Sequence, residues 1–414
     1  MNRLVFVISL SLFILTIDFY VFQAIKVVTS NLSPGWRKGV IYAYWSLTAL
    51  TLFGIFAYNF WGIQLKSLRT IILATTFINV FSKVFASLFL FTDDITRVAQ
   101  WIWQGFQSSG ATTTTAENAI PRSEFISKIG LLAGGIVPIS TFSFGIISGA
   151  HDYRIRTINV PLKNLPRKFD GIRIGQLSDI HSGSFFNKKA VLGGVEMMIA
   201  EKPDVLFFTG DLVNNESSEV NDYIDIFGKL DAPLGVFSIL GNHDYGDYKT
   251  WDSLAAKRKN LEDIKIAHKL LGWDLLLNEN RHLEVDGEKI AIVGVENWGV
   301  RFKKYGNLKT AYQGVGNAPV KLLLSHDPSH WDAQIRPEYP DIDLTLSGHT
   351  HGFQFGVEIG GFKWSPSQYF YDQWAGLYSK GDQHIYVNRG FGFIGYPGRV
   401  GIAPEITVLE LNRV

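Results

Sequence analysis

The chain has 414 residues, a net charge of +1 and no cysteine. Its length exceeds what one typical hydrophobic core accommodates, so we expect at least two parts. The lack of cysteine excludes disulfides, thiolate zinc sites and cysteine nucleophiles, and the small net charge argues against a broad basic face for nucleic acid. Hydrophobic residues make up 46 % of the chain, but they are unevenly distributed along it.

Four long apolar runs lie before residue 150. Each approaches the roughly 20 apolar residues that a membrane-spanning helix needs. The runs cover residues 4–28, 40–63, 71–91 and 129–147. We therefore predict a membrane domain over residues 1–150, built from about four transmembrane helices, with a threonine-rich loop from Ser108 to Asn118. A buried helical core domain is the alternative, and a cleaved signal peptide would explain the first run alone.

Two charged residues, Asp18 and Lys83, interrupt the first and third apolar runs. These runs cross the membrane in the same direction. The rise of about 1.5 Å per helical residue places the two charges within about 3 Å of the same depth. Because isolated charges are costly at bilayer depth, we predict that they form an ion pair inside the bundle. The alternative is that each side chain extends separately toward the membrane surface.

The distribution of basic residues gives an expected orientation. Lys26, Arg37 and Lys38 surround the first loop, and Arg97, Arg122 and Lys128 surround the third. The opposite side carries Arg3, Lys66 and Arg69. Because basic residues favour the cytoplasmic side, we expect a multi-pass membrane protein whose second part is extracytoplasmic.

Residues 151–414 alternate strand-like apolar runs with helical segments, which predicts a soluble α/β domain. Five runs each end at a short polar motif. In chain order the motifs are Asp179-Ile180-His181, Gly210-Asp211, Gly241-Asn242-His243-Asp244, Ser325-His326 and Gly348-His349-Thr350-His351. Polar residues just past strand ends are typical of an α/β active-site edge.

The motifs supply seven oxygen or nitrogen ligands, which is enough for two adjacent metal ions. Mixed carboxylate and imidazole ligands suit Mn, Fe or Zn better than Ca. The predicted ligands are Asp179, His181, Asp211, Asn242, His326, His349 and His351. His243 is predicted to be catalytic, either stabilising developing charge or protonating the leaving oxygen, with Asp244 orienting its ring. We expect the other histidines not to bind metal: His151, His268, His282, His330 and His384.

In this order, the motifs resemble those of the calcineurin-like metallophosphoesterase superfamily. The resemblance covers residues from about 157 to 414. It implies a two-sheet α/β sandwich flanked by helices, with metals at the strand ends. It also implies two ligand sets that share Asp211. One set adds Asp179, His181 and His351, and the other adds Asn242, His326 and His349.

The C-terminal stretch is similar to the branch that contains the bacterial YkuE and YaeI phosphodiesterases. The similarity rests on Asn388-Arg389-Gly390-Phe391-Gly392 and Pro404-Glu405-Ile406-Thr407. It implies a membrane-anchored enzyme and, for some members, a lipid-linked substrate of the UDP-diacylglucosamine type. The chain departs from the branch in its four predicted spans and in reading Gly352-Phe353-Gln354, where a second glycine commonly precedes the glutamine.

The sequence thus predicts a membrane-anchored phosphohydrolase. A metal-bridging hydroxide would attack phosphorus. The resemblance favours a phosphodiester or pyrophosphate bond, and a lipid-linked molecule is a candidate substrate. Arg389 and Arg399 are candidates for binding a second phosphate, with ordinary surface ion pairing as the alternative. An aromatic segment around Trp364, Tyr371 and Trp374 is a candidate lip for lipid, or else a packed edge. Two other function classes are a receptor or scaffold with a vestigial domain, and a transporter lined by Asp18 and Lys83.

Overall fold

The computed structural model describes residues 3–61, 66–106 and 128–414. The chain divides into two compact units, Met1–Ile146 and Ile147–Val414. The predicted loop from Ser108 to Asn118 and the basic residue Arg122 lie outside the described residues.

Four helical segments long and apolar enough to cross a membrane lie at the N-terminal end, as predicted. They comprise α1 (Arg3–Val28), α2 (Pro34–Phe60), α3 (Lys66–Phe106) and a fourth segment, Lys128–His151, which contains α4 (Val137–Ile147). Helix α3 extends well past the predicted run 71–91. Its polar continuation is compatible with a helix because Arg97 lies 3.9 Å from Asp93 and 3.7 Å from Asp94, at helical spacing.

The predicted ion pair between Asp18 and Lys83 is confirmed, with Lys83 Nζ 2.6 Å from Asp18 Oδ1. Lys83 also donates to Thr48 Oγ1 at 3.1 Å, so three helices share one polar contact. The fourth segment packs closely on α3 at Gly134, where an added Cβ would lie 2.2 Å from the Cα of Ala86. A π turn at Leu132–Ile136 precedes α4.

The second unit contains two six-stranded sheets and a small hairpin. The first sheet has the order β1-β14-β2-β3-β4-β5 and the second β12-β13-β9-β8-β7-β6, with β10 and β11 paired separately. The strands are β1 (Arg154–Leu162), β2 (Arg173–Leu177), β3 (Val205–Phe208), β4 (Val236–Ser238), β5 (Asp274–Leu275), β6 (Glu279–Val285), β7 (Glu288–Gly294), β8 (Lys321–Leu324), β9 (Leu344–Ser347), β10 (Val357–Ile359), β11 (Phe362–Trp364), β12 (Gly376–Lys380), β13 (Gln383–Val387) and β14 (Glu405–Arg413).

The two sheets face each other across a shared apolar core, which confirms the predicted sandwich. Ile174 and Phe207 of the first sheet are fully or almost fully buried in this core with Ile292 and Leu322 of the second. Helices cover the outer faces, as expected for sheets that bury both sides. The helices are α5 (Lys188–Ala200), α6 (Ile224–Phe227), α7 (Leu254–Leu270), α8 (Leu308–Ala311) and α9 (Arg336–Glu338).

Parallel pairing brings the ends of the motif-bearing strands to one edge in each sheet. In the first sheet Leu177 pairs with Phe208, and Phe208 pairs with Ser238. In the second sheet Leu324 pairs with Leu346. The residues that follow these strands are therefore close together, although they are far apart in sequence.

Candidate metal centre

The structure brings six of the seven predicted ligands into two groups. Asp179, His181 and His351 form one, and Asp211, His326 and His349 form the other. Within each group, one potential ligand atom from each residue lies within 4.8 Å of the others. This division of the carboxylates and histidines follows the two ligand sets implied by the resemblance, the second of which also includes Asn242.

Asp211 belongs to the second group, but its carboxylate also lies close to the first. Its Oδ2 is 3.1 Å from His326 Nε2 in one group and 3.5 Å from His181 Nε2 in the other. Gly210 precedes it with a φ of +98°, and a Cβ there would lie 2.6 Å from the backbone nitrogen of Gly241. Glycine at this turn therefore allows Asp211 to lie between the motifs of the first sheet and those of the second.

Two of the ligand histidines are held by a hydrogen bond at Nδ1. His326 Nδ1 is 2.7 Å from the carbonyl oxygen of Thr209, and His181 Nδ1 is 3.1 Å from Asn214 Oδ1. In both cases Nδ1–H donates to the oxygen, so Nε2 is the nitrogen that faces the group. Such outer contacts fix the tautomer and the ring orientation that metal binding requires.

The backbone at the site is conformationally costly. Five of the predicted ligands have a left-handed φ: Asp179, His181, Asp211, His349 and His351, between 48° and 69°. Residues other than glycine rarely adopt this region, and they tend to do so at functional sites. The conformation directs side chains from consecutive motifs into one small volume.

The predicted ligands differ in the direction in which their pKa values are shifted. Burial raises the pKa of Asp211, but His326 and His243 outweigh burial and hold that pKa well below its usual range. Burial lowers the pKa of His181 well below its usual value, which keeps the imidazole neutral. Burial lowers the pKa of His326 too, but Asp211 outweighs burial and raises it to about 10, so this imidazole would release a proton when a metal binds.

Asn242 provides a direct test of whether the residues fit a metal. Its side-chain amide donates from Nδ2 to Tyr248 Oη at 2.8 Å, while its buried Oδ1 has no hydrogen-bond partner in the described part of the chain. Buried polar atoms are rarely left without a partner. A metal ion bound beside Asp211 would satisfy this oxygen, so the donor set fits the predicted dinuclear site.

His243 lies beside the first group, with its ring centroid 4.9 Å from that of His181. The structure corrects the partner expected for it. The His243 ring donates from Nδ1 to the carbonyl oxygen of Asn214 at 2.8 Å, and not to Asp244. Asp244 is fully buried, and its carboxylate accepts backbone N–H groups from Asp211, Leu212, Val213 and Gly241. Asp244 therefore holds the ligand loops together because its oxygens bind their backbones.

The two arginines predicted to bind phosphate lie in the interior. Arg389 is 4 % exposed and pairs with Glu405 and Glu358, each at 2.5 Å. Arg399 is 2 % exposed and donates to the carbonyl oxygens of Arg389, Gly390 and Gly392. Both guanidinium groups are committed to protein partners, so the expected phosphate-binding role is not supported. The alternative, ordinary surface ion pairing, does not describe them either, because the ion pairs of Arg389 are buried.

The aromatic segment divides into buried and exposed parts. Trp374 is 4 % exposed and packs with Ala375 and Ile402, so it belongs to the core and not to a lip. Tyr371 contacts the site directly, with its hydroxyl 2.9 Å from His349 Nε2. A set of large apolar side chains nearby is exposed, and we call it the apolar rim: Phe353, Ile359, Phe362, Tyr369 and Phe370.

Part of the apolar rim lies close to the predicted ligands in sequence. Phe353 follows His351 by two residues and stacks on Phe370 with ring centroids 5.5 Å apart. Ile359 and Phe362 face each other across the β10–β11 hairpin. Exposed apolar surface beside an active site is a common feature of binding surfaces.

Arg301 is a cationic residue at the site that the sequence analysis missed. Its guanidinium carbon lies 5.7 Å from the centroid of Phe370. With Asn242 and Tyr248 it lines a cavity of about 250 Å³. The neighbouring Phe302 packs on His349 with ring centroids 4.7 Å apart. Arg301 follows β7 at the same edge as the motifs, and this position is the signal that could have identified it.

Comparison with known proteins agrees with this geometry. Residues 172–353 match the family model for calcineurin-like phosphoesterases, and residues 2–150 match one described as the transmembrane domain of a probable calcineurin-like phosphoesterase. The chain is 32 % identical to the metallophosphoesterase YkuE of Bacillus subtilis over 299 residues, which are 70 % of this chain and 97 % of YkuE.

Two further relatives contain the same domain. Phosphodiesterase YaeI of Escherichia coli is 28 % identical, over 57 % of this chain and 80 % of YaeI. A transmembrane protein with a metallophosphoesterase domain from Danio rerio is 27 % identical, over 72 % of this chain and 66 % of the fish protein. From the motifs, the sandwich fold and these matches we conclude that the chain belongs to the calcineurin-like metallophosphoesterase family.

Proposed function

We propose that this protein hydrolyses a phosphodiester or pyrophosphate bond in an amphiphilic, lipid-linked substrate, using two metal ions of the Mn, Fe or Zn class. The observation that carries the proposal is the position of Asp211 Oδ2, which contacts a histidine of each ligand group. A carboxylate shared by two metal sites is the arrangement that dinuclear hydrolysis needs. The metal ions would neutralise phosphate charge and activate water.

The protein's own residues would carry the remaining steps. His243 is half-buried, and its Nδ1 is bound to Asn214, so Nε2 is the nitrogen available to a substrate. It would donate a proton to the departing oxygen or stabilise charge on the phosphoryl group. Arg301 would bind a second negative group of the substrate, and the apolar rim would contact its hydrocarbon part.

The first test of the proposed activity is hydrolysis of bis-p-nitrophenyl phosphate by the full-length protein in detergent with added Mn. Activity that depends on metal supports the proposal. Inactivity of a folded, metal-loaded protein toward this diester and toward lipid-linked phosphodiesters would favour the receptor or scaffold function instead.

Removing aromatic side chains from the apolar rim should lower kcat/KM selectively for lipid substrates. Phe362 is 63 % exposed and Phe370 is 50 % exposed, so their replacement by alanine should not unfold the domain. Burying one such ring against hydrocarbon contributes roughly 2 kcal/mol. We therefore expect the Phe362→Ala, Phe370→Ala double variant to lose at least about tenfold in kcat/KM on a long-chain phosphodiester, while hydrolysis of bis-p-nitrophenyl phosphate stays unchanged.

The control for the apolar rim is Leu254→Ala, which removes an apolar side chain that is 76 % exposed on α7. It should leave both activities unchanged. Equal losses on the long-chain and the small diester in the rim variant would remove the proposed contact with lipid.

Arg301→Ala should weaken the binding of substrates that carry a second phosphate. Arg301 is exposed, and no carboxylate partner is found for it among the described residues. A charge-assisted hydrogen bond contributes about 1.5–3 kcal/mol. We expect KM to rise about tenfold or more for an alkyl diphosphate diester and to change little for the monophosphate diester with the same chain. Arg258→Ala, at an exposed arginine on α7, is the matched control, and an equal effect on both substrates would contradict this role.

We also propose that the catalytic domain is extracytoplasmic, as the basic residues of the first and third loops favour. Since the chain has no cysteine, a single introduced thiol gives an unambiguous signal. A membrane-impermeant maleimide should label Glu196→Cys, on the exposed face of α5, in intact cells. It should not label Asn31→Cys in the first loop until the cells are lysed. The reverse pattern would place the domain in the cytoplasm.

A further inference from the structure

The transmembrane bundle contains a polar network that the hydrolytic reaction does not use. Besides the ion pair, Tyr44 donates its hydroxyl to the main-chain oxygen of Asp18 at 2.9 Å, and its ring lies 4.3 Å from Lys83 Nζ. Asn79 donates to Thr51 Oγ1 at 2.9 Å one turn away on α3. Ionisable groups at such depth are costly and usually mark a functional site.

A cavity of about 450 Å³ lies beside this network. All four helical segments line it, and most of the lining side chains are apolar. The polar groups that line it include Tyr44, Asn79, Ser82 and Lys83. The volume and the mixture of an apolar wall with a few polar groups are typical of small-molecule sites.

One lining residue lacks a partner. Ser82 is 3 % exposed, and its hydroxyl has no hydrogen-bond partner among the described residues. The Oδ2 atom of the fully buried Asp18 is also without one in the described part of the chain. Most serines in membrane helices bond to a carbonyl of the preceding turn, as Ser87 does with Val84 at 2.7 Å. A buried hydroxyl without a partner, on a residue that lines a cavity, therefore indicates a ligand that supplies its partner.

The charges define the class of this ligand. Lys83 and Asp18 neutralise each other at 2.6 Å, so a charged ligand would bring an uncompensated charge into the bundle. We propose that the cavity binds an uncharged amphiphile: an apolar chain that ends in a hydroxyl or ester group, which hydrogen-bonds to Ser82. This site is separate from the metal centre and would not take part in hydrolysis.

The test uses the full-length protein in phosphatidylcholine vesicles and a photoactivatable long-chain alcohol. We expect the probe to label peptides from α3, and excess unlabelled alcohol to compete with it. The same probe without its hydroxyl, or with a carboxylate instead, should label several-fold less. Ser82→Ala should reduce labelling about fivefold, the factor expected for one lost hydrogen bond, while Ser87→Ala has no effect.

Two controls keep the outcome interpretable. Gel filtration and metal-dependent hydrolysis of bis-p-nitrophenyl phosphate show that Ser82→Ala is folded. Vesicles of ether-linked phosphatidylcholine, which lack ester carbonyls, distinguish the two sources of ligand. Stronger labelling there means that bilayer esters occupy the site, and unchanged labelling means that a free alcohol does. Equal labelling of wild type and Ser82→Ala, or equal labelling by the probe without a hydroxyl, would overturn the proposal.

Discussion

Asp211→Asn is expected to reduce metal-dependent hydrolysis of bis-p-nitrophenyl phosphate by about 10³-fold or more, as for other groups that stabilise transition-state charge. The substitution keeps the size of the side chain but removes the charge that lies between His326 and His181. Asp211 Oδ2 is the atom that contacts both ligand groups, at 3.1 and 3.5 Å. Losing it should affect both metal positions at once.

Metal content provides the second measurement for Asp211→Asn. Elemental analysis of the purified protein should show about two metal ions per wild-type chain, the number a dinuclear site holds, and fewer in the variant. The exposed Asp225→Asn on α6 is the control and should retain activity and metal. Full metal content with full activity in Asp211→Asn would show that this carboxylate is not a shared ligand.

The convergence of the candidate metal ligands could be predicted because strand ends are readable from sequence. Asp179 and His326 follow the last apolar residue of a run by two positions and Asp211 by three, and parallel pairing brings such ends to one edge. The pairing of Asp18 with Lys83 could also be predicted, because helical rise converts residue counts into membrane depth.

Side-chain directions in irregular segments could not be predicted in the same way. Asp244 follows His243 in sequence, but the turn directs its carboxylate to four backbone N–H groups on neighbouring loops. Arg389 is occupied by Glu405 and Glu358, and these contacts depend on how β14 and the small hairpin pack. Neither outcome is encoded in local spacing.

The burial of individual side chains in the aromatic segment could not be predicted from sequence either. The segment from Phe362 to Trp374 has no sustained period of two or 3.6 residues, so sequence does not show which rings face the core. In the structure Trp374 is 4 % exposed, whereas Phe362 is 63 % exposed. Arg301 was missed for a related reason, since its loop reaches the site through tertiary contacts such as the packing of Phe302 on His349.

His243→Ala is expected to reduce kcat by about 10²–10⁴-fold on diesters with a basic alkoxide leaving group, the range for a general acid. The loss should be much smaller for bis-p-nitrophenyl phosphate, because p-nitrophenolate departs without needing a proton. The basis is geometric: the backbone carbonyl of Asn214 accepts from Nδ1 at 2.8 Å and leaves Nε2 for the substrate.

A series of aryl and alkyl diesters of increasing leaving-group basicity measures this directly. A steeper decline of log kcat with basicity in His243→Ala than in wild type identifies His243 as the proton donor. A uniform loss across the series would instead assign it to stabilising charge on the phosphoryl oxygens. His282→Ala, at an exposed histidine on β6, should follow the wild-type line throughout. Because both roles require Nε2 to reach the substrate, equal kcat values for His243→Ala and wild type across the series would exclude His243 from the reaction.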